Sequence, residues 1–417
     1  MAKLVINGGI PLEGSVKISG AKNAALAVIA ASLLAEGETV LENIPQINDV
    51  VILTEILQSL GASVFWKDRE TLSITVPDDV HCVANYREVK RLRASNLLLG
   101  PLVARRRKAR ISLPGGCQIG SRPMDLHLKG LAKLGCTIGV EHGFIKACCS
   151  RLEGNRIYLD FPSVGATENI MMAAAVAEGK TIIENAAKEP EIVDLASFLN
   201  SMGGKIRGAG TDRIKITGVK TLRAAKYAII PDRIEAGTFL AAVTITGGNV
   251  RVENVIPPHL KPIIAKLQEA GAWIKEEDSS LHIVGPERIK SVDIKTLPFP
   301  GFPTDMQSQM MALLALAYGT GVIVENVFEN RLLVANELNR MGAQIKVEGH
   351  TAIVQGVPFL NGVSVKAPDL RSGVALILAG LAARGTTEIY NLHVIDRGYL
   401  NVEEKLSRLG ADIKRID

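Results

Sequence analysis

Met341-Gly342-Ala343 closes an amphipathic stretch and leads straight into the β-type run Gln344-Ile345-Lys346-Val347. The same apolar-Gly-small signature recurs as Leu60-Gly61-Ala62, Leu134-Gly135-Cys136, Met202-Gly203-Gly204, Ala270-Gly271-Ala272 and Leu409-Gly410-Ala411, with successive glycines 74, 68, 68, 71 and 68 residues apart. Glycine suits the residue after a helix, where a left-handed backbone carries no Cβ strain. A second marker keeps step. The runs Thr39-Val40-Leu41-Glu42-Asn43, Thr181-Ile182-Ile183-Glu184-Asn185, Val250-Arg251-Val252-Glu253-Asn254, Val322-Ile323-Val324-Glu325-Asn326 and Thr387-Glu388-Ile389-Tyr390-Asn391 read as strands ending in Asn, and Ala109-Arg110-Ile111-Ser112-Leu113 fills the remaining slot. Before each strand lies an Ala-rich stretch: 24–37, 94–103, 168–179, 235–247, 306–319 and 372–385. These are apolar nearly all round and predict buried helices. The chain therefore reads as six copies of one repeat: buried helix, strand, amphipathic helix, strand pair.

The sixth copy stops at Asp417 without closing strands. The other end supplies a matching piece. Leu4-Val5-Ile6-Asn7-Gly8, continuing to Ser19, resembles Ala352-Ile353-Val354-Gln355-Gly356 continuing to Ala367, and also Ile214-Lys215-Ile216-Thr217-Gly218. Residues 1–21 are thus expected to complete the last repeat. Consecutive repeats pack together, which groups them three and three. The expectation is an α/β protein of two domains, 22–229 and 1–21 plus 230–417, with a continuous solenoid as the alternative.

The chain has 417 residues, 47% hydrophobic, 22% charged and only 4% aromatic. At roughly 150 residues per domain, two or three domains are expected. So few aromatics argue against a stacking platform for single-stranded nucleic acid. The net charge of +5 suits anionic substrates, and the densest basic run, Arg105-Arg106-Arg107-Lys108, reads as a solvated turn rather than a phosphate-backbone stripe. The five cysteines form no C-x-x-C pair and histidines near them are sparse, so no zinc site is expected. An odd cysteine count and no apolar leader in Met1 to Gly9 suggest a reducing cytoplasm. Apolar stretches reach about twelve residues, too short for a bilayer. Neither a Walker A nor a Rossmann fingerprint is present.

Repeats make departures visible. The residue 20 or 21 positions before each strand-end marker is Lys22, Arg93, Arg233, Asp305 or Arg371, while the third copy has Val164-Gly165. Charge at the mouth of an apolar helix needs a reason. Helix N-termini present unpaired N–H groups and favour anions. The bland reading is inter-repeat salt bridges, with Asp232, Asp369, Glu189 and Glu191 as partners. Asp305 is the one acid in the slot and reads either as a helix-start carboxylate or as a general base kept ionised by cations. Three glycines frame Cys117 in Pro114-Gly115-Gly116-Cys117-Gln118-Ile119-Gly120, with Arg122 five residues on. Such a loop can close over a substrate, and a nearby guanidinium lowers a thiol pKa toward neutrality. Cys117 then reads as a proton donor or nucleophile, or else as a bystander thiol. Cys82, Cys136, Cys148 and Cys149 read as structural. Arg331 and Arg397 sit in turns after their strands and suit phosphate or carboxylate. These features point to an enzyme that handles two anionic small molecules in an interdomain cleft.

Ser19-Gly20-Ala21-Lys22-Asn23-Ala24, Arg93-Ala94-Ser95, Pro114-Gly115-Gly116-Cys117, Arg122-Pro123-Met124-Asp125-Leu126-His127, Pro231-Asp232-Arg233-Ile234-Glu235, Phe302-Pro303-Thr304-Asp305-Met306-Gln307, Phe328-Glu329-Asn330-Arg331 and Asp396-Arg397-Gly398-Tyr399 closely resemble the UDP-N-acetylglucosamine enolpyruvyl transferase family, in order and spacing across nearly the whole chain. The resemblance implies two inside-out α/β barrels of three repeats each. It implies an alkyl-group transferase that moves the enolpyruvyl group of phosphoenolpyruvate to the sugar 3′-hydroxyl and releases phosphate, the first committed step of bacterial peptidoglycan synthesis. Cys117 matches the family's proton donor, which forms a phosphoenolpyruvate adduct and is alkylated by fosfomycin. Asp305 matches the base at the 3′-hydroxyl. Lys22, Arg122 and Arg397 match the cations around phosphoenolpyruvate. Asn23, Arg93, Arg122, Pro123, Met124, Asp125, Leu126, Asp305 and Val327 match sugar-nucleotide positions, and Ser163, Val164 and Gly165 match a diphosphate loop. Arg331 and Arg371 complete the expected substrate-binding set. One departure stands out: some members have a basic residue before that loop, where this chain has Phe161-Pro162. The implied partners are the two substrates, with no cofactor, metal, nucleic acid or membrane. The competing expectations are the sister enzyme 5-enolpyruvylshikimate-3-phosphate synthase, a non-catalytic sugar-nucleotide-binding paralogue and a purely structural repeat scaffold.

Overall fold

A computed structural model describes every residue except Met1, Asn85, residues 114–118 and 121–123, and Asp417; nothing of the Glu88 side chain is described. Each repeat builds one four-stranded sheet, six in all among the described residues. The fifth repeat shows the plan. Thr320–Val324 pairs antiparallel with Thr351–Gln355, which pairs antiparallel with Gln344–Glu348. On the other side Ile294–Lys295, delivered by the preceding repeat, runs parallel. Ala352 and Val354 point inward while Ile353 is exposed, so one face meets helices and the other meets solvent. The glycine of the signature has φ of 101°, 98°, 97°, 107°, 96° and 97° in the six copies, a conformation that ends each outer helix and aims the chain into its strand.

The Asn that ends each strand marker has a physical cause. Its side-chain amide donates to the carbonyl one residue beyond the parallel edge strand: Asn43 to Ile229 at 3.0 Å, Asn185 to Leu159 at 2.8 Å, Asn254 to Ile18 at 2.7 Å, Asn326 to Thr296 at 3.1 Å and Asn391 to Ala367 at 2.6 Å. Asn43, Asn185, Asn254 and Asn391 also take φ of 60°, 54°, 58° and 71°, which asparagine tolerates better than most residues. Each Asn thus staples the incoming edge strand while turning the chain. Leu113 stands in the second copy's slot and cannot do this.

The chain divides into two compact units, one of Met1–Ser19, Gln118–Ser121 and Pro231–Asp417, the other of Gly20–Cys117 and Arg122–Ile230. In the first, the helices Arg233–Thr246, Gln307–Leu314 and Leu370–Ala382 pack on one another. Phe239, Leu240, Met310, Met311, Leu313, Leu376 and Ile377 are essentially inaccessible. Lys3–Asn7 lies between Thr386–Tyr390 and Asp412–Ile416, antiparallel to both, and completes the sixth sheet. Glu13–Lys17 then runs parallel to Asn249–Glu253 and edges the fourth.

The second unit repeats the plan with Lys22–Ala31, the 3₁₀ turn Arg93–Leu98 continuing into Leu99–Arg106, and Val164–Ala174 as its buried helices. Here Lys226–Ala228, the last strand, edges the first sheet beside Gly37–Glu42. The α/β class with buried helices is as the repeat predicts. Four of those helices are shorter than the Ala-rich runs suggest: Lys22–Ala31, Val164–Ala174, Gln307–Leu314 and Leu370–Ala382 stop before Gly37, Gly179, Gly319 and Gly385, because the chain must already turn toward the next strand. Among the described residues no helix is long and apolar enough to cross a membrane.

Candidate active site

Asp305 lies in the 3₁₀ turn Thr304–Met306 that heads the helix Gln307–Leu314. It caps nothing. Its Oδ1 accepts from Arg331 Nη2 at 2.6 Å and its Oδ2 from Arg371 Nη2 at 2.8 Å. Arg331 opens the turn Arg331–Leu333, and Arg371 is the second residue of Leu370–Ala382. Both arginines are buried, at 2% and 4% exposure, whereas the Asp305 side chain keeps 24%. Burial would push the Asp305 carboxyl up, but Arg371 and Arg331 override it and hold the group far below the usual carboxylate range. Two desolvated guanidiniums around one carboxylate form a carboxylate clamp.

Asp369 and Asp232, weighed above as salt-bridge partners for their neighbours, serve as helix caps. Asp369 Oδ1 accepts from the amides of Arg371 and Ser372, and Asp232 Oδ1 from those of Ile234 and Glu235. Arg397 is half-buried in the turn after Leu392–Val394, and the adjacent Asp396 is taken by Arg415 at 2.7 Å.

Glu325 belongs to this site and was not singled out in the sequence. It is 1% exposed. Its Oε1 accepts from Thr296 Oγ1 at 2.9 Å and from the amides of Val327 and Phe328 at 2.8 and 3.1 Å, while Oε2 accepts from Thr304 Oγ1 at 2.9 Å. One carboxylate therefore ties the residue before Asp305 to the turn that carries Val327 and leads to Arg331.

In the other unit Lys22 opens its helix, is 9% exposed, and pairs with Asp49 at 2.7 Å. Asn23 beside it is exposed. Arg93 is half-buried at the start of Arg93–Leu98. Met124 precedes the helix Asp125–Lys133, and its sulfur accepts from Asn96 Nδ2 at 3.2 Å. Asp125 is exposed and Leu126 half-buried. Ser163 caps Val164–Ala174, its Oγ accepting from the Ala166 amide at 3.4 Å, so Val164 and Gly165 are the first two residues at the electropositive helix end.

Gly165 leaves room for a neighbouring ring: a Cβ there would lie 2.9 Å from His127 Cε1, and the ring would have to shift. His127 is 5% exposed, and burial together with the charge of Arg93 lowers its pKa to about 4, so the ring is neutral. Asn169 is oriented by accepting from the Gly100 amide at 2.6 Å and donating to the Asn96 carbonyl at 3.1 Å. Its Nδ2 therefore donates to His127 Nδ1 at 2.9 Å, which places the ring proton on Nε2. The sequence signal for His127 was only its place at the end of the Arg122–His127 motif.

Cys117, Arg122 and Pro123 lie outside the described residues. The other cysteines differ in setting. Burial, with Cys149 beside it, pushes the Cys136 thiol up to about 12, so it stays protonated; Cys148 is exposed and Cys82 half-buried. Among the described residues no three His, Cys, Asp or Glu side chains group so as to hold a metal ion. The sequence-derived site residues that are described thus fall into two sets. Lys22, Asn23, Arg93, Met124, Asp125, Leu126, Ser163, Val164 and Gly165 share one unit; Asp305, Val327, Arg331, Arg371 and Arg397 share the other.

A sequence profile described as EPSP synthase (3-phosphoshikimate 1-carboxyvinyltransferase) matches residues 6–406. UDP-N-acetylglucosamine 1-carboxyvinyltransferase 1 of Caldanaerobacter subterraneus is 56% identical over 413 residues, covering 99% of each chain. UDP-N-acetylglucosamine 1-carboxyvinyltransferase 2 of Carboxydothermus hydrogenoformans is 56% identical over 418 residues, covering 100% of each. Among solved structures, the enolpyruvyl transferase NikO from Streptomyces tendae superposes with a TM-score of 0.90 at 27% identity, covering 100% of this chain and 99% of that one. An EPSP synthase from Acinetobacter baumannii superposes at 0.77 with 19% identity, covering 100% of each, which shows a shared fold. With likeness of this extent to relatives that share one name, the chain belongs to the enolpyruvyl transferases and, among them, to the UDP-N-acetylglucosamine 1-carboxyvinyltransferase family.

Proposed function

We propose that the chain transfers the enolpyruvyl group of phosphoenolpyruvate to the 3′-hydroxyl of UDP-N-acetylglucosamine and releases phosphate, in the cytoplasm, at the first committed step of peptidoglycan synthesis. The observation that carries this reading is the 56% identity, over the full length, to relatives of that name. We propose two domains, 22–229 and 1–21 with 230–417.

The chemistry follows from the side chains. Protonation of C3 of phosphoenolpyruvate makes C2 electrophilic. Cys117 supplies that proton, and its thiolate can also add to C2, so a covalent adduct and alkylation by fosfomycin are expected at this residue. Asp305 takes the proton of the 3′-hydroxyl as it attacks C2. The tetrahedral ketal then loses phosphate together with a proton from C3, which Cys117 takes back, restoring the double bond of the enolpyruvyl ether; the growing charge on the phosphate is met by Lys22, Arg122 and Arg397. The head of Val164–Ala174 offers backbone amides to the diphosphate, with Asn23, Arg93, Pro123, Met124, Asp125, Leu126 and Val327 around the sugar nucleotide.

One feature of the geometry sharpens this scheme. A carboxylate held by two arginines is a poor base. Phosphoenolpyruvate brings a carboxylate of its own, the group that Arg331 and Arg371 already hold in Asp305. Its arrival draws the guanidiniums off Asp305, whose basicity rises only then. The base is armed by the substrate it needs.

The test is phosphate release from phosphoenolpyruvate, with UDP-N-acetylglucosamine and separately with shikimate-3-phosphate. Release with the sugar nucleotide alone is expected. Release with shikimate-3-phosphate alone overturns the substrate. Release with neither, from protein that still binds the sugar nucleotide, overturns the activity.

A further inference from the structure

Tyr399 is 3% exposed and sits where the three buried helices of its unit meet. Phenylalanine would fill the same space, so the buried hydroxyl needs a reason: a phenol taken out of water is costly unless it is hydrogen-bonded. Its oxygen lies 2.8 Å from Thr238 Oγ1 on the first helix, 3.4 Å from Gln309 Nε2 on the second and 3.2 Å from Arg371 Nη1 on the third.

The proton bookkeeping has one solution. Thr238 donates to the Ile234 carbonyl at 2.8 Å, so its oxygen is left to accept. It accepts from Gln309 Nε2 at 3.1 Å and from Tyr399. Tyr399 having spent its proton on Thr238, its oxygen accepts from Arg371. The result is a directed chain, Arg371 to Tyr399 to Thr238 to the Ile234 carbonyl, that starts at a cation and ends on a helix carbonyl. Burial raises the Tyr399 pKa, so the proton stays in place. Gln309 Nε2 also donates to the Asp305 carbonyl at 3.0 Å. Asp305 is therefore held twice by groups that meet at Tyr399: its backbone through Gln309, its carboxylate through Arg371.

We propose that Tyr399 is a positioning residue for the transfer reaction: by holding Arg371 Nη1 it fixes the plane of the guanidinium, so that Nη2 alone is presented to Asp305 or to the substrate carboxylate. This rests on the function proposed above. Without the phenolic oxygen, Nη1 loses its acceptor and the guanidinium can turn both edge nitrogens on one carboxylate. Asp305 is then held harder and released less readily.

The experiment is steady-state kinetics of Tyr399→Phe, alone and in an Arg371→Lys background, with Thr238→Val as an independent break in the same chain. Charge-assisted hydrogen bonds of this kind contribute enough for about a tenfold effect. The expected result for Tyr399→Phe is a roughly tenfold fall in kcat/KM for phosphoenolpyruvate, with KM for the sugar nucleotide within about twofold of the parent. Thr238→Val should shift in the same direction by less, and Thr238→Ser should restore the parent values. In the Arg371→Lys background, Tyr399→Phe should change little further, since it acts through Arg371. Parent-like kinetics for Tyr399→Phe would overturn the inference, as would an equal loss with and without Arg371. A loss spread over both substrates with a matching fall in melting temperature would also overturn it, because that marks a packing role. A parent enzyme that releases no phosphate with UDP-N-acetylglucosamine overturns the proposed function first and this inference with it, so the two failures are told apart.

Discussion

Replacing Asp305 by Asn keeps the shape of the side chain and removes one negative charge from between two buried guanidiniums. In the parent protein the clamp distances are 2.6 and 2.8 Å, so an incoming substrate carboxylate must trade places with one already bound. The exchange is close to neutral, and the clamp then adds little to affinity. In the variant the clamp holds no charge. A substrate carboxylate gains charge-assisted hydrogen bonds without first breaking equivalent ones, each about 1.5–3 kcal/mol. Even the lower figure for one bond is about a tenfold gain in affinity. Loss of the general base should at the same time cut kcat by about 10²–10⁴. Two desolvated cations left without their counter-charge should lower stability by about 3–5 kcal/mol, so binding is measured well below the variant's melting temperature. Titration calorimetry of phosphoenolpyruvate against both proteins, with the sugar nucleotide present, reads the affinity; single-turnover phosphate release reads the chemistry. The expected outcome is the unusual pair of tighter binding and lost turnover. If Asp305→Asn is folded and binds phosphoenolpyruvate no more tightly than the parent, the exchange reasoning is wrong.

His127 has a folded pKa of about 4 against an unfolded value near 6.5, so the unfolded chain binds more protons between those values. Stability should therefore fall as pH drops through that window, by up to about 3 kcal/mol for this group; His127→Gln should flatten that slope in denaturant melts run from pH 7 to pH 4. Gly165→Ala sets a Cβ 2.9 Å from His127 Cε1 and must displace a ring that Asn169 holds, so KM for UDP-N-acetylglucosamine should rise about tenfold while KM for phosphoenolpyruvate stays near the parent value. Asn254→Ala loses the bond to the Ile18 carbonyl and forces alanine to φ near 58°, together about 2 kcal/mol in thermal or urea melts, whereas Asn254→Gly should lose about half of that because it keeps the backbone.

How far the sequence can be read depends on whether a feature is local or distant. The six signature glycines and the strand-end asparagines report local backbone geometry, and their conformations and staples follow the repeat directly. Lys3–Asn7 was legible as the closing strand because it copies the pattern of Ala352 to Gly356. Asp305 was legible as an exception in a slot, but its partners, Arg331 and Arg371, come from 26 and 66 residues away, and no local pattern announces such a meeting. Glu325 shows the limit most clearly. It shares its sequence position in the marker with Glu42, Glu184 and Glu253, which are half-buried or exposed. The hydroxyls of Thr296 and Thr304, set around it by tertiary packing, join the local amides of Val327 and Phe328 to make Glu325 a buried acceptor. His127 and Tyr399 were hidden for the same reason, since burial and a shared hydrogen-bond partner are properties of the packed unit. Cys117, whose glycine loop the sequence marks strongly, lies outside the described residues, and its role belongs to the proposal.

The strand order of the sixth sheet also sets a timetable. Lys3–Asn7 leaves the ribosome well before both of its neighbours, Thr386–Tyr390 and Asp412–Ile416, which lie hundreds of residues further along the sequence. Residues 20–230 close their own ring with Lys226–Ala228 and can fold while synthesis continues. Lys3–Asn7 has to wait for both of these strands, its apolar Leu4 and Ile6 unsheltered in the meantime, and removal of Asp412–Ile416 leaves it as an exposed edge.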